Sequence, residues 1–212
     1  MVLKMFPAEE ADMYRSAVIE HEAYAPLETN QILFPGPFPP NILEIRAEQL
    51  KGQAKEPNVF CFKVIDTELE GEQMISFARW VVYDDTYPPK PKPRRGSPPG
   101  ANAEAFDLLF GNLRELSDRS IGGRNIVYLE TLFTDPKHQG RGAASMLISW
   151  GTEEAARRGL PAYLESSEAA HNLYLKHKFR DMEEMVLDFS KWGAEKPHRT
   201  WAMIKPEGGV SD

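Results

Sequence analysis

The chain has little cysteine, no long apolar run and no excess of basic residues. Cys61 is the single cysteine in 212 residues, so an internal disulfide cannot form and a cysteine-based zinc cluster is not supported. The apolar run around Cys61 predicts a strand in which this thiol packs. No apolar stretch reaches the roughly 18 residues of a membrane span, and the first residues lack the apolar segment of a secretory signal. We therefore expect a cytoplasmic protein without a membrane partner.

The charge balance restricts the class of partner. The formal net charge is −7 at pH 7, whereas proteins that bind nucleic acid usually carry a basic surface. This acidity argues against a nucleic-acid partner and is compatible with cationic substrates. The length and the 42% hydrophobic content suffice for a substantial core, which predicts a single domain over residues 1–212.

The first half of the chain predicts a strand, two helices and a β-hairpin. Prolines and a glycine between Gln31 and Pro40 predict a loop, because proline cannot continue a helix. Runs rich in Phe, Val and Ile on either side of an acidic turn are typical of paired strands. The predicted elements are a strand over Val2–Phe6, a helix over Ala8–Glu22, a helix capped by Asn41 and running to Gln53, and strands over residues 58–67 and 73–83.

An insertion over about residues 84–125 follows the hairpin. Its first part, Pro88–Gly100, is too rich in proline for a helix or a strand and predicts a surface loop. The basic residues Lys90–Arg95 in this loop are compatible with a nuclear localisation signal or an anion site, and equally with charges that keep the loop solvated. The second part, Asn102–Arg119, has apolar residues at helical spacing and predicts an amphipathic helix.

The second half alternates strands with helices, which predicts a partly parallel region within a mixed sheet. The fold class is therefore mixed α/β. The predicted elements are strands over Ile126–Thr134, Ala162–Ser166, Glu184–Phe189 and Thr200–Lys205, and helices over Ala143–Arg158 and Glu168–His177. The four tryptophans predict side chains that pack against the sheet.

A turn of small residues links the strand at Ile126–Thr134 to the next helix. Small residues let the backbone approach a ligand, and the first turn of a helix offers unpaired N–H donors and the positive end of its dipole. The turn therefore indicates a pyrophosphate site, although a tightly packed connection would need small residues too. Its residues are Gln139, Gly140, Arg141, Gly142, Ala143 and Ala144, with Lys137 and His138 as nearby cationic groups.

Two motifs in this half resemble those of the GNAT superfamily of acyl-CoA-dependent N-acyltransferases. Gln139, Gly142 and Ala144 match the family's phosphate-turn pattern, and a strand that ends in Asp-Pro precedes them. A second motif runs from Leu164 to Phe179, with Lys178 in place of the family's glycine. The run Ile32–Pro37 is also similar to uncharacterised fungal members. The resemblance implies a mostly antiparallel twisted sheet of about six or seven strands, flanked by helices, with the acyl-CoA between two splayed parallel strands.

The resemblance also implies roles for particular residues. The backbone of Gln139–Ala144 would bind the pyrophosphate of acetyl-CoA, and Thr134 would offer backbone groups to the pantetheine arm. Ser167 stands where many relatives place an asparagine that contacts this arm. The Leu132 N–H would stabilise the oxyanion. Tyr174 would protonate the leaving thiolate, since a phenol stays protonated at neutral pH.

Glu130 is the candidate for the acceptor side, and three roles remain open for it. It could act as a general base, directly or through water; it could bind a cationic amine; or it could be structural. Tyr128 shares its face of the strand by two-residue alternation. His171, His177 and His198 show no metal-ligand spacing, so no metal is expected.

The sequence thus predicts an acetyl-CoA-dependent N-acetyltransferase that acts by direct attack of a primary amine of a small molecule or peptide. One alternative is a CoA-binding module that has lost catalysis and acts as a sensor or an interaction partner. Another is an acetyltransferase of histones or other nuclear proteins, which depends on the basic loop. The sequence leaves open whether the protein is a monomer or a homodimer.

Overall fold

The structure is a computed structural model that describes residues 2–71, 73–90 and 96–208. Within this part of the chain, seven strands form one sheet in the order β1-β2-β3-β4-β5-β7-β6. The strands are β1 (Leu3–Pro7), β2 (Val59–Asp66), β3 (Met74–Tyr83), β4 (Ile126–Thr134), β5 (Ala162–Ser167), β6 (Arg180–Leu187) and β7 (His198–Lys205), and the helices are α1 (Met13–Tyr24), α2 (Glu28–Leu33), α3 (Ile42–Ala54), α4 (Ala103–Ile121), α5 (Ala143–Arg158) and α6 (Glu168–Lys176).

The sheet is antiparallel except at its centre. β4 and β5 pair in parallel, joined through α5, whereas the pairs on either side of them are antiparallel. A parallel pair needs a long crossover connection, and the sequence supplies one as the helix after the glycine turn. The prediction of a mixed α/β fold with a mostly antiparallel sheet is confirmed.

Helices cover both faces of the sheet. On one face α5 and α6 pack on a group of buried residues that includes Trp80, Leu147 and Leu164. On the other face there are two separate groups. α1 and α3 pack around Phe77 and Phe133, while α2 and α4 pack around Phe106 and Tyr163. The region between these two groups is the part of the sheet where the candidate site lies.

The contact between α5 and β3 is unusually close. Trp80 is fully buried, and its indole N–H donates to the carbonyl of Leu147 at 3.2 Å. A Cβ added at Gly151 would lie 2.1 Å from the Trp80 ring, so glycine is required for the helix to approach the indole. The sequence-based prediction that the tryptophans pack against the sheet holds at Trp80 for this reason.

Substitution of Gly151 by alanine is expected to lower the free energy of unfolding by about 1–3 kcal/mol, as is typical of an overpacked core. Urea titration of Gly151→Ala against the wild type measures this loss. Gly111→Ala is the control, because a Cβ at Gly111 in α4 meets open space and alanine favours a helix. Equal stability of Gly151→Ala and the wild type would show that α5 moves freely away from the indole.

Several predicted element boundaries were wrong, and the first helix begins at Met13 rather than at Ala8. Residues 31–33, predicted as loop, form the end of α2, because Pro35 stops this short helix only after Leu33 is buried against the α4 group. β6 begins at Arg180, not Glu184, because this strand pairs with β7 through its backbone while its side chains are mostly exposed. The Asn41 side chain, expected to cap α3, makes no capping bond.

Part of the predicted insertion falls outside the described residues. The basic cluster proposed as a localisation signal spans Lys90–Arg95, and residues 91–95 of it are not described. The amphipathic helix predicted after this loop is confirmed as α4, with the Asn102 side chain accepting from the Ala105 amide at its start. None of the described helices is long and apolar enough to cross a bilayer.

Candidate active site

The centre of the sheet opens into a fork. The parallel pairing of β4 and β5 runs from Val127 opposite Ala162 to Leu129 opposite Leu164 and stops there. The next residues on the two strands are Glu130 and Glu165. Beyond this pair β4 leads into the glycine turn, and β5 continues its pairing with β7. The fork therefore has two carboxylates at its base and the glycine turn beyond the end of β4.

Glu130 lies in a β-bulge. Arg79 on β3 pairs with Thr131, and Trp80 pairs with Leu129, so Glu130 has no opposite residue in the ladder. A bulge bends a strand and redirects the side chain of its extra residue. Nη2 of Arg79 lies 2.9 Å from Oε2 of Glu130. The carboxylate is thus ion-paired on the sheet face that carries α1, α3, α2 and α4.

Glu165, at the matching position on β5, is held by two tyrosines. The Tyr128 hydroxyl donates to its Oε2 at 2.6 Å, and the Tyr163 hydroxyl donates to its Oε1 at 2.9 Å. Burial and the charge of Glu165 raise the pKa of both tyrosines well above the ordinary value. Both hydroxyls are therefore protonated and act as donors at neutral pH. They fix the second carboxylate of the fork.

Tyr83 at the end of β3 is influenced by both carboxylates. Burial is the largest cause that raises its pKa, and the charges of Glu130 and Glu165 add to it while Arg79 opposes them, giving a pKa of about 12. Tyr128, predicted to share the face of Glu130, does so. The fork is accordingly lined by tyrosines that stay protonated and by two glutamates.

Tyr174 lies on α6, with its ring buried in the core on the α5 side of the sheet. It packs edge-on against Phe179, with ring centroids 5.9 Å apart. Its hydroxyl makes no hydrogen bond to another described residue. Burial raises its pKa further above the ordinary value for a phenol. The group is chemically a proton donor at neutral pH.

The backbone beside Tyr174 has the geometry that glycine usually provides. Lys178 has φ +68° and is the one non-glycine residue with positive φ among those described. The amide of Phe179 donates to the Tyr174 carbonyl at 3.1 Å, which closes the end of α6. The lysine that replaces the expected glycine therefore keeps the turn intact at a small conformational cost.

The glycine turn has a backbone conformation that favours glycine at two positions. Gly140 has φ +73° and Gly142 has φ +92°, and a Cβ built at either glycine meets open space. Gly142 is the N-cap of α5, whose first residue is Ala143, so the first amides of α5 lie beside this space. Ala144 and Gln139 flank the glycines, and the Gln139 side chain donates to the Thr134 carbonyl at 3.4 Å.

Two ion pairs fasten the turn to the rest of the protein. Nη2 of Arg15 on α1 lies 2.6 Å from Oδ2 of Asp135 at the end of β4. Arg141 within the turn pairs with the buried Asp66 at the end of β2 and contacts His138. Arg141, expected as a cation for phosphate, is therefore also a structural link.

The pair at Asp135 predicts a dependence of stability on pH. Burial alone would raise the pKa of Asp135, but hydrogen bonds from the Lys137 amide and from Arg15 lower it below the ordinary value. A lowered folded-state pKa gives stability that is complete above the unfolded pKa of about 3.9 and is lost as the pH falls through the folded value.

Asp135→Asn is expected to lower the free energy of unfolding by about 1–3 kcal/mol at pH 7, because it removes a charged hydrogen-bond partner of Arg15. The difference from the wild type should shrink as the pH falls below about 4. Urea titrations at both pH values measure it, with Asp118→Asn on the exposed side of α4 as the control. A difference that is independent of pH would contradict the ion-pair explanation.

Three further predicted residues lie near the fork. Leu132 pairs with Ala78 just past the bulge. Thr134 lies at the end of β4, where its hydroxyl is 2.8 Å from that of Ser76. Ser167 is exposed at the end of β5 and is the N-cap of α6, although its side chain makes no capping bond. No group of three or more potential metal ligands occurs among the described residues.

Comparison with known proteins agrees with this geometry. The family model described as the acetyltransferase (GNAT) family matches residues 33–179, which include the fork, the glycine turn and α6. The chain belongs to the GNAT acetyltransferase family.

Several solved structures have a similar fold. A structure from Corynebacterium glutamicum, described as "histone acetyltransferase HPA2 and related acetyltransferase", is 18% identical with a TM-score of 0.61, and the match covers 100% of each chain. The C-terminal condensation domain of Ebony, in complex with beta-alanyl-dopamine, is 12% identical with a TM-score of 0.68, covering 97% of this chain and 99% of that one. The NatC complex, bound to Gag peptide and CoA, is 15% identical with a TM-score of 0.54, covering 97% and 99%. These similarities show that the GNAT fold extends over nearly the whole chain.

The GNAT fold brings together residues that are far apart in the sequence. Glu130, Glu165 and Arg79 meet at the fork, and Leu132, Thr134 and the glycine turn continue along β4. The Tyr174 ring packs on the α5 side of the sheet, while its pKa is raised by burial and also by Tyr24 on α1, the helix on the Glu130 face. Arg79 and Glu165 were not predicted from the sequence. A signal for Arg79 was present, since it is the single charged residue in the apolar strand β3.

Proposed function

We propose that the protein transfers the acetyl group of acetyl-CoA to a primary amine of a small molecule or peptide, by direct attack within a ternary complex. The observation that carries this proposal is the fork between β4 and β5, which opens at Glu130 and Glu165 and adjoins the glycine turn. Family membership supports the reaction class. The two carboxylates support a cationic amine as the acceptor.

The glycine turn fits the pyrophosphate of the coenzyme. The space beside Gly140 and Gly142 is open, and the amides at the start of α5 are donors with no partner earlier in the helix. A helix N-terminus also favours negative charge. In this proposal the backbone of Gln139–Ala144 holds the pyrophosphate, Thr134 contacts the pantetheine arm through its backbone, and Ser167 lies on the β5 side of the same arm.

The coenzyme supplies an acetyl thioester, which the amine can attack only in its neutral form. Glu130 therefore removes the proton through an intervening water, or binds the ammonium form before it loses the proton. The ion pair with Arg79 stabilises the ionised carboxylate, and both roles require this ionised form. The Leu132 N–H stabilises the negative charge that develops on the carbonyl oxygen.

Tyr174 donates a proton to the departing thiolate. Its hydroxyl is available because it has no hydrogen-bond partner among the described residues. Burial keeps it protonated, since its pKa lies above the ordinary value. The same burial raises the pKa of a thiol beside it, so the two groups keep comparable basicity and the proton passes to the thiolate without a large free-energy cost.

The proposed class of acceptor, an amine of a small molecule or peptide, is supported by the carboxylates of the fork and by the ligands of structurally similar proteins. The Ebony domain is seen with beta-alanyl-dopamine, and the NatC complex is seen with a peptide and CoA. Both small amines and peptides are therefore accommodated on this fold.

Release of free thiol from acetyl-CoA, measured over a panel of monoamines, diamines and peptides, tests the proposal. We expect release that requires an amine, together with an acetylated product detected by mass spectrometry. Glu130→Gln should lower kcat/KM by about 100-fold, within the range for general acid–base groups. Acetyl-CoA binding without transfer to any amine would instead favour a CoA-binding module that lacks catalysis.

A further inference from the structure

Arg79 is an unexpected residue at its position in the sheet. β3 spans ten residues, nine of them buried, and Arg79 is the single charge among them. Its side chain is 5% exposed. A guanidinium in such a place is costly unless it is paired, and an apolar residue would serve packing alone at least as well. The cost suggests a purpose other than packing.

The side chain of Arg79 lies between the two groups of helices on its face of the sheet. Phe77, two residues before it, packs in the α1 and α3 group. Val81, two residues after it, packs in the α2 and α4 group. Since alternate residues of a strand share a face, Arg79 lies in the interval between the groups. In the proposed reaction this is the acceptor side of the fork, because Glu130 lies on it.

Arg79 connects three elements at this point. Its Nη2 pairs with Glu130 on β4, and its Nη1 donates to the side chain of Gln53 on α3. Its Nε is buried and makes no hydrogen bond to any described residue. The guanidinium is therefore held from α3 and presents one edge to Glu130.

The β-bulge makes the direction of the Glu130 side chain depend on its contact with Arg79. Because Glu130 is the extra residue of β4, the regular ladder does not determine the direction of its side chain. A cation fixed in the adjacent strand does determine it. The bulge and Arg79 thus act together on the same carboxylate.

We propose that Arg79 is a positioning residue whose guanidinium fixes Glu130, in its ionised form, in the orientation from which this carboxylate serves the acceptor amine. The inference rests on the proposed acetyl transfer. Arg79 itself does not take or give a proton, since a guanidinium does not lose its charge in proteins.

The charge of Glu130 also acts on other titratable groups, which must be considered in the pH profile of kcat/KM. Arg46 donates two hydrogen bonds of 2.6 and 2.8 Å to Glu20 on α1, so its positive charge is already paired. Besides the effect of burial, the charge of Glu130 raises the pKa values of Arg46 on α3, Cys61 on β2, Tyr83 on β3 and Tyr128 on β4, and Glu165 on β5 is the other carboxylate of the fork. The thiol and the two phenols are uncharged at neutral pH because their pKa values are raised.

A double-mutant cycle tests the proposal. Arg79→Met, Glu130→Gln and the double variant are compared with the wild type in kcat/KM for an amine and in urea unfolding. We expect Arg79→Met alone to lower kcat/KM by about 10- to 100-fold and to move the acid limb of the pH profile upward by about one unit. In the Glu130→Gln background the same change should cost less than about 3-fold. The KM for acetyl-CoA should not change.

Arg79→Lys keeps the charge, and we expect it to restore the acid limb of the profile even if it is less stable than the wild type. Equal losses from Arg79→Met in both backgrounds, or an unmoved acid limb, would overturn the positioning role. So would coupling that is seen in unfolding but not in kcat/KM, which would mark the pair as structural. Failure of the proposed function is distinguished by the wild type itself, which would then turn over no amine.

Discussion

Tyr174→Phe is expected to lower kcat by about 100- to 1,000-fold at neutral pH, within the range for a positioned general acid. The substitution removes one hydroxyl and leaves the buried ring and its edge-on contact with Phe179. The KM for acetyl-CoA should stay within about twofold, because in the proposed reaction the hydroxyl acts on the departing thiolate. Thiol release under saturating acetyl-CoA and amine measures the effect.

The control for this prediction is Tyr14→Phe, since Tyr14 is an exposed tyrosine on α1. It should leave kcat unchanged. The thermal midpoint of Tyr174→Phe should also match that of the wild type, because no described residue loses a hydrogen bond to the hydroxyl. Unchanged kcat in Tyr174→Phe would remove this tyrosine from the reaction.

Gly142→Ala is expected to weaken acetyl-CoA binding by about 10- to 100-fold. Alanine at φ +92° is strained by about 1–2 kcal/mol, and relief of this strain moves the first amides of α5 away from the ligand. The added methyl group also enters the open space beside the turn, where the proposed function puts the pyrophosphate. Calorimetric titration with acetyl-CoA measures the loss.

Gly123→Ala is the matched control for backbone strain. Gly123 has φ +75° and open space around its Cβ, as at Gly142, but lies in the connection between α4 and β4. It should lose similar stability and keep its affinity for acetyl-CoA. Equal loss of affinity in the two variants would mean that the turn acts through stability alone.

The parts of the fold with a local sequence signal were predictable. The turn of small residues between β4 and α5 is inferred from the spacing of glycine, alanine and glutamine, and the positive φ of Gly140 and Gly142 explains the glycines. The amphipathic α4 follows from its apolar spacing. Lys178 adopts the positive φ expected from the glycine it replaces. In each case the residue type and the local conformation determine one another.

The rest of the site depends on long-range pairing. The bulge at Glu130 is a property of the register between β3 and β4, and alternation along β4 alone does not reveal it. Glu165 is held by tyrosines that come together only when β4 and β5 pair. Strand β6 is formed by its backbone at the sheet edge, so its polar first residues gave no periodic signal.

The most direct test of this account is calorimetric titration of the wild type with acetyl-CoA, with 3′-dephospho-CoA and desulfo-CoA as comparison ligands. The account predicts one site per chain with a dissociation constant on the order of micromolar, or about −8 kcal/mol. Desulfo-CoA should bind similarly, because the proposed contacts at the turn involve the pyrophosphate. Absence of binding by acetyl-CoA would contradict the central claim, since a fork that does not hold the coenzyme has no acetyl group to transfer.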